Sequence, residues 1–509
     1  MDCISPRAKI ASLAAIFFSA PIGASFVFAI ALFFVLIAPL SCAWLAWTLH
    51  AGGALALRRH PALTLCTLAE LAFFVRYLAV VVPALRRPVA TPPTLSPLER
   101  MRLLESILSE IPAAHLPAFM SRWFGGTPIE SLRRSDLVAW VAYSLWARHV
   151  EQLSPEDRAE AEALVAHFLR LTGLDVRDGG GDGEPAAPLM RHTLDAIVVW
   201  HRPLLYYAIV QGILDGVVCT LAMRCLGFKY RRCSAIHMGF WVRQVPPLAT
   251  RAASMPILFF HGVGIGLLPY LGLIHSLVRA NRSRTVICAV LPSCTSRVPR
   301  VSVTATPTAS QLVRATLDLL TNLDIARVSV VGHSFGTACA AWLVRAAPAH
   351  VERLVLLDPI VFNLHYPTLV HSFFYRFPQT LWQFVMFWGA SREPGIAYMM
   401  GRCFPWHEGV LFSHMLEEVH KRHEQQSCVK DAAASLPRAG VCTHLAERDC
   451  LIDADTIRQC LERERIHSVV APGHVHGSVM VSPSSWAQIA GWLRDASEQD
   501  AAAPSVEPR

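Results

Sequence analysis

Ser334 stands between two glycines, in Gly332-His333-Ser334-Phe335-Gly336, directly after the run Val328-Ser329-Val330-Val331. Small residues follow it at helical spacing, among them Ala338, Ala340 and Ala341. A strand that reverses sharply into a helix forces the residue at the turn into a strained backbone, and flanking side chains would collide, so glycine is needed on either side. The strain lifts the hydroxyl clear and sets it beside the positive end of the helix. That presents a serine as a nucleophile. A serine that only caps a helix can sit in the same pentapeptide, so the remaining residues must discriminate.

A serine nucleophile needs a base to take its proton and an acid to orient that base. Asp358 (in Leu357-Asp358-Pro359) and Asp449 (in Glu447-Arg448-Asp449-Cys450-Leu451-Ile452) are the candidate acids, and His474 and His476 the candidate bases. Their order along the chain, serine then acid then histidine, is the one this type of turn predicts. A tetrahedral intermediate also needs donors for its oxyanion. The Phe335 N–H is one. The other is expected from His261-Gly262-Val263-Gly264, at Val263 or Gly264. His261 is expected to shape that loop, and His333 to pack beneath the turn.

The elements that must position these residues show in the hydrophobic period. Residues 256–262, 284–292, 327–334, 351–359, 440–449 and 466–474 read as short apolar strands. Helical stretches near 265–280, 309–324, 335–347, 453–464 and 484–494 alternate with most of them. That rhythm predicts a parallel sheet covered on both faces, with two earlier strands around 228–245. Sites in such sheets form at the carboxyl ends of strands, where every candidate above lies.

On these motifs, residues from about 250 to 497 resemble an α/β-hydrolase-fold serine hydrolase of the lipase/esterase kind. The resemblance implies an α/β fold, a mostly parallel sheet flanked by helices with a helical cap insertion. It implies Asp449 as the acid, in the loop after the seventh strand, with Asp358 at the end of the sixth as the alternative. It implies His476 as the base, seven residues before the helix-opening Pro483, with His474 as the alternative. No metal or cofactor is called for. More loosely, Arg122-Trp123-Phe124 and His201-Arg202-Pro203-Leu204 resemble membrane-anchored relatives in fungi and protists. The expected activity is cleavage of carboxylic esters, lipid esters above all. Acyl transfer or peptide cleavage on the same triad, or a silent membrane scaffold, are the alternatives.

Composition agrees with a membrane setting. Of 509 residues, 53% are hydrophobic and 17% charged, and the formal charge of +8 is scattered without a basic stripe, which argues against nucleic acid as a partner. The 14 cysteines show no metal-binding spacing and read as buried small hydrophobes. No charge interrupts Ile10–His50. As helix this run would measure roughly 60 Å, enough for one long span or two short ones across a core of about 30 Å. A second apolar stretch, 62–83, carries Glu70 and Arg76, and 192–227 reads as a buried or interfacial helix because of Gln211 and Asp215. With two spans, the arginine bias places the bulk of the protein on the cytoplasmic side. The expected organisation is a membrane anchor over 1–88, a helical region over 89–227 with a flexible loop near 178–188, a catalytic domain over 228–497, and a disordered tail over 498–509. Within the domain, 361–437 is too long for a simple connection. Its aromatic run, 371–389, reads as a cap or lid.

Overall fold

A computed structural model describes residues 22–87, 94–177, 187–233, 238–245, 255–301, 306–416 and 438–493, with a few single positions besides. The tail expected over 498–509, most of the loop at 178–188 and the stretch 420–437 of the cap lie outside the described residues. The chain divides into two compact units. One comprises 1–210, 296–306 and 365–407, and the other 211–295, 307–364 and 408–509. The aromatic run therefore groups with the N-terminal helices, while both flanks of the insertion group with the sheet.

The second unit is built on eight strands: β1 (Lys229–Arg232), β2 (Gly239–Arg243), β3 (Ile257–Phe260), β4 (Val286–Val290), β5 (Val328–His333), β6 (Val351–Leu357), β7 (Arg438–Ala446) and β8 (Ile466–Ala471). They lie in the order β1-β2-β4-β3-β5-β6-β7-β8. β1 and β2 run antiparallel and the pairs from β4 to β8 are parallel. The central strands are buried along their whole length, which is why they read as unbroken apolar runs rather than alternating ones. Ile257 and Phe259, Val286, Cys288 and Val290, and Val355 and Leu357 project by twos onto one face. There they meet Leu273, Ile274 and Leu277 of the helix Leu271–Ala280, and Ile489 and Leu493 beside the helix Pro483–Trp492. The helix Phe335–Ala346 packs on β3, β5 and β6, and its small residues Ala338, Ala340 and Ala341 are fully buried.

In the first unit, Ile22–Ala56 and Pro61–Arg86 form long apolar helices. Val27–Gly53, Pro61–Arg86 and Leu204–Cys225 are each long and apolar enough to cross a membrane. Leu40, Trp47 and Leu65 are 60%, 67% and 70% exposed, a surface that water solvates poorly and hydrocarbon well. Glu70 and Arg76, within the second helix, face protein, as charges at membrane depth do. Glu70 is buried and accepts the Leu204 N–H at 2.7 Å, with His201 Nε2 at 3.4 Å. Arg76 donates to the Pro299 carbonyl at 2.7 Å. The motif His201-Arg202-Pro203-Leu204 thus receives a structural role, since Glu70 caps the helix that begins at Leu204. Asp215, within the third helix, lies beside the Gly266 backbone.

The helices Pro97–Glu110, Arg134–Trp146 and Pro155–Thr172 complete the first unit. Ser96 and Glu99 form a capping box at the first of them, and Ser154 caps the third. Arg100 links the two through a bidentate pair with Glu160 at 2.8 and 2.7 Å, its guanidinium 4.3 Å from the Trp146 ring centroid.

Candidate active site

The reversal at the end of β5 holds Ser334 at φ 52°, ψ −120°, a conformation costly for any residue with a side chain. The flanking glycines are required by space. A Cβ on Gly332 would lie 2.6 Å from the Gly336 carbonyl oxygen, and one on Gly336 would lie 2.1 Å from the Phe260 carbonyl oxygen. Larger residues would push the helix off the sheet or straighten the turn.

Ser334 Oγ lies 2.8 Å from His476 Nε2, and His476 Nδ1 lies 2.6 Å from Asp449 Oδ2. A carboxylate only accepts, so Nδ1 carries the proton and Nε2 is left to accept from the serine hydroxyl. Asp449 is fixed in turn by the Leu451 and Ile452 N–H groups, at 2.7 and 3.1 Å on Oδ1. The next acid, Asp453, caps the helix Ala454–Arg463 through the Thr456 N–H at 3.2 Å. All three members are shielded from water, with Ser334 and His476 at 4% and 2% exposure and the Asp449 side chain at 0%. Burial disfavours an imidazolium at His476. The charge and hydrogen bond of Asp449, together with the charge of Asp358, outweigh burial and raise its pKa above the ordinary imidazole value.

The two alternative candidates lie nearby in other roles. Asp358, itself at φ 43°, accepts the Gly477 N–H at 2.7 Å and the Ala446 N–H at 3.0 Å. It pins the residue after the histidine and the end of β7. Burial opposes its charge, but His333, His476 and the Gly477 N–H prevail and bring it down to about 2. His474 turns away. Its ring is 5.9 Å from that of His444, and its carbonyl accepts the Arg448 N–H at 2.8 Å, bracing the loop that carries Asp449.

The loop after β3 is held by three contacts. His261 bridges the Leu291 N–H at 3.1 Å and the Gly262 carbonyl at 2.8 Å, the loop-shaping role expected of it. The Gly264 N–H donates to the Cys294 carbonyl at 3.0 Å, and the Gly262 N–H to Tyr270 Oη at 3.0 Å. Of the two expected loop donors, Gly264 is therefore already engaged. The Val263 N–H has no acceptor among the described residues. Phe335 opens the helix after Ser334, so its N–H belongs to the positive end of that helix.

Tyr270 went unforeseen, because an isolated tyrosine in a helical stretch carries no chemical signature. Its hydroxyl donates to His333 Nδ1 at 2.7 Å. His333 Nε2 faces Asp358 Oδ2 at 3.5 Å, long for a hydrogen bond, so this contact is chiefly electrostatic. Burial lowers the His333 pKa against the pull of Asp358. Gly262, Tyr270, His333, Asp358 and Gly477 thus form one buried polar chain. It joins the loop after β3 to the loop carrying His476, and passes beneath Ser334. Donor atoms of Asp358, Asp449 and His476 lie within 4.8 Å of one another, close enough to share a metal ion. They are committed instead to each other, to backbone N–H groups and to Ser334.

Residues 255–440 match the family described as alpha/beta hydrolase fold. With the strand order and the strained serine turn above, the sheet unit has the α/β-hydrolase fold. No curated protein matches it. Among solved structures, the chain is similar to naproxen esterase (carboxylesterase NP) from Bacillus subtilis at 14% identity, over 56% of this chain and 98% of that one, with a TM-score of 0.37. It is also similar to a bacterial membrane phospholipase A at 13% identity, over 57% and 93%, with a TM-score of 0.36. Carboxylesterase CesB from Bacillus subtilis is similar at 11% identity, over 55% and 98%, with a TM-score of 0.35.

Proposed function

We propose that the protein is a membrane-anchored serine hydrolase that cleaves carboxylic esters, lipid esters by preference, through an acyl-enzyme. The observation that carries this reading is the continuous hydrogen-bonded line from Ser334 Oγ through His476 to the shielded Asp449 carboxylate. As Ser334 Oγ attacks the ester carbonyl carbon, its proton passes to His476 Nε2, and Asp449 stabilises the imidazolium that forms. The carbonyl oxygen, now negative, takes the Phe335 and Val263 N–H groups as its donors. His476 returns the proton to the departing alkoxide, leaving the acyl group on Ser334. Water deprotonated by the same histidine then attacks the acyl carbon, and the proton returns to Ser334.

The lipid preference rests on the exposed apolar faces of the three long helices, which would hold the protein where lipid esters are concentrated. The test is turnover of a short soluble p-nitrophenyl ester and of a long-chain lipid ester in bilayers, by the full chain and its Ser334→Ala variant. Both activities should vanish in the variant while its circular dichroism and melting temperature are retained or improved, because Ser334 is strained. Undiminished hydrolysis by Ser334→Ala would remove the serine from the mechanism.

A further inference from the structure

The loop that carries Val263 turns on a glycine whose two polar groups are both engaged. The Gly262 N–H donates to Tyr270 Oη at 3.0 Å, and the Gly262 carbonyl accepts from His261 Nδ1 at 2.8 Å. Leu291 sets the sense of the second bond, because its N–H donates to His261 Nε2 at 3.1 Å and leaves the ring proton on Nδ1. The peptide bond after Gly262 is trans and planar, so the Val263 N–H points opposite to the carbonyl that His261 holds. Glycine rotates about its backbone more freely than any other residue. With its N–H and its carbonyl each tied to a ring, Gly262 can no longer swing the Val263 N–H. A Cβ at this position would crowd His333 Nδ1 and Ser334 Cβ, each at 3.0 Å, so the loop passes as close to the serine as a glycine allows.

Tyr270 accepts that N–H while its own hydrogen goes to His333 Nδ1 at 2.7 Å. His333 can accept there when its proton sits on Nε2, where the Asp358 carboxylate lies 3.5 Å away and attracts it. Burial disfavours a second proton on that ring, and it raises the Tyr270 pKa, so the phenol keeps its hydrogen. The tyrosine ring is buried, lies 5.2 Å from that of Phe259, and belongs to the same apolar cluster as Leu273 and Leu277. We infer that Tyr270 is a positioning residue for the ester chemistry: its hydroxyl, oriented by His333 and Asp358, sets the Gly262 N–H and through it the Val263 N–H that receives the oxyanion. Asp358 then serves both halves of the site, since Oδ2 holds the Gly477 N–H beside the base and also faces the ring that orients Tyr270. An ester carbonyl oxygen accepts weakly and the tetrahedral oxyanion strongly, so a donor held in place acts mainly on the transition state. The inference rests on the proposed serine mechanism, with Val263 as an oxyanion donor.

The test compares the full chain with its Tyr270→Phe variant on a short p-nitrophenyl ester and on a short alkyl trifluoromethyl ketone. Ser334 Oγ adds to the ketone carbon, its proton passes to His476, and the carbonyl oxygen takes the negative charge. Tyr270→Phe should lower kcat by about 10-fold with KM changed less than about twofold, and weaken ketone inhibition by about the same factor as kcat. The acid limb of kcat/KM should stay in place, because this substitution removes no charge. A general loosening of the fold would move KM as well and would not single out the tetrahedral adduct. Two substitutions at His333 carry the test where Tyr270→Phe fails to fold. His333→Leu deletes the acceptor for the tyrosine hydrogen, whereas His333→Asn offers an amide oxygen near the place of Nδ1. Ketone affinity should fall in the first and be at least about threefold better in the second. Native kcat and ketone affinity in folded Tyr270→Phe, or no advantage of His333→Asn over His333→Leu, would each overturn the inference. Ser334→Ala separates it from the reading beneath it. If that variant is inactive and Tyr270→Phe is native, this inference alone falls, whereas hydrolysis by Ser334→Ala overturns the serine mechanism and the positioning role together.

Discussion

Two sets of buried charges, one in each unit, are held in opposite ways. In the helical unit, three buried arginines end on backbone carbonyls. Arg202 reaches Trp388 and Trp200, Arg392 reaches Phe373 and Phe374, and Arg402 reaches His192, Leu85 and Asp195. In the sheet unit, two buried histidines face carboxylates, His476 on Asp449 and His333 beside Asp358. A carbonyl fixes an arginine and offers no place for its proton, so the first arrangement staples chain segments together. Two facing titratable groups give a proton somewhere to go. These arginines therefore serve architecture, whereas the Ser334–His476–Asp449 line offers a path for a proton.

This contrast can be broken by substitution. Asp449→Asn keeps the shape of the site but leaves His476 without a carboxylate to hold Nδ1–H, and should cut kcat on a short ester by about 10⁴-fold. A loss under tenfold would show that another group orients the base. Asp358→Asn should cost less, about 10- to 100-fold, because Asp358 holds the backbone beside His476 and makes no hydrogen bond to the ring. It should also move the acid limb of kcat/KM. Asp358 helps raise the His476 pKa, and the base must be neutral to work, so removing that carboxylate should shift the limb to lower pH. An upward shift would contradict the assignment. In the helical unit, Arg402→Met should leave kcat per folded molecule on a soluble ester unchanged while destabilising the protein by about 3 kcal/mol, through the carbonyls it abandons. Thermal unfolding in detergent measures this. The smallest effect belongs to His474→Ala, within about twofold on kcat, because only its backbone braces the acid loop.

The residues of the proposed triad were legible because each announces itself locally. Ser334 has its glycines, Asp449 and His476 sit at the ends of apolar runs, and Pro483 fixes the register of the last helix. The sheet was legible for a related reason, since buried parallel strands leave continuous apolar runs between helical periods. What escaped depends on contacts distant in sequence. Nothing local in 371–389 says that it groups with the N-terminal helices, because its partners, such as Phe28 and Phe34, lie far upstream. The loop beside Asp215 comes from residue 266, so what surrounds that charge could not be read locally. Tyr270 gains meaning only once Gly262 and His333 converge on its hydroxyl. That the Gly264 N–H is already engaged depends on Cys294, thirty residues further along. The third apolar helix also matters for sidedness, since one more span reverses the side on which the sheet unit lies.

The central claim is that Ser334 is a nucleophile activated by His476, and labelling with a fluorophosphonate tests it most directly. The probe phosphonylates a serine only when its hydroxyl is deprotonated in place. Full-length protein in membranes should be labelled stoichiometrically, with the adduct mapping by mass spectrometry to the peptide containing Ser334. His476→Ala should remove the labelling although the serine remains. Absence of an adduct on folded protein, or an adduct that persists in His476→Ala, would contradict the account.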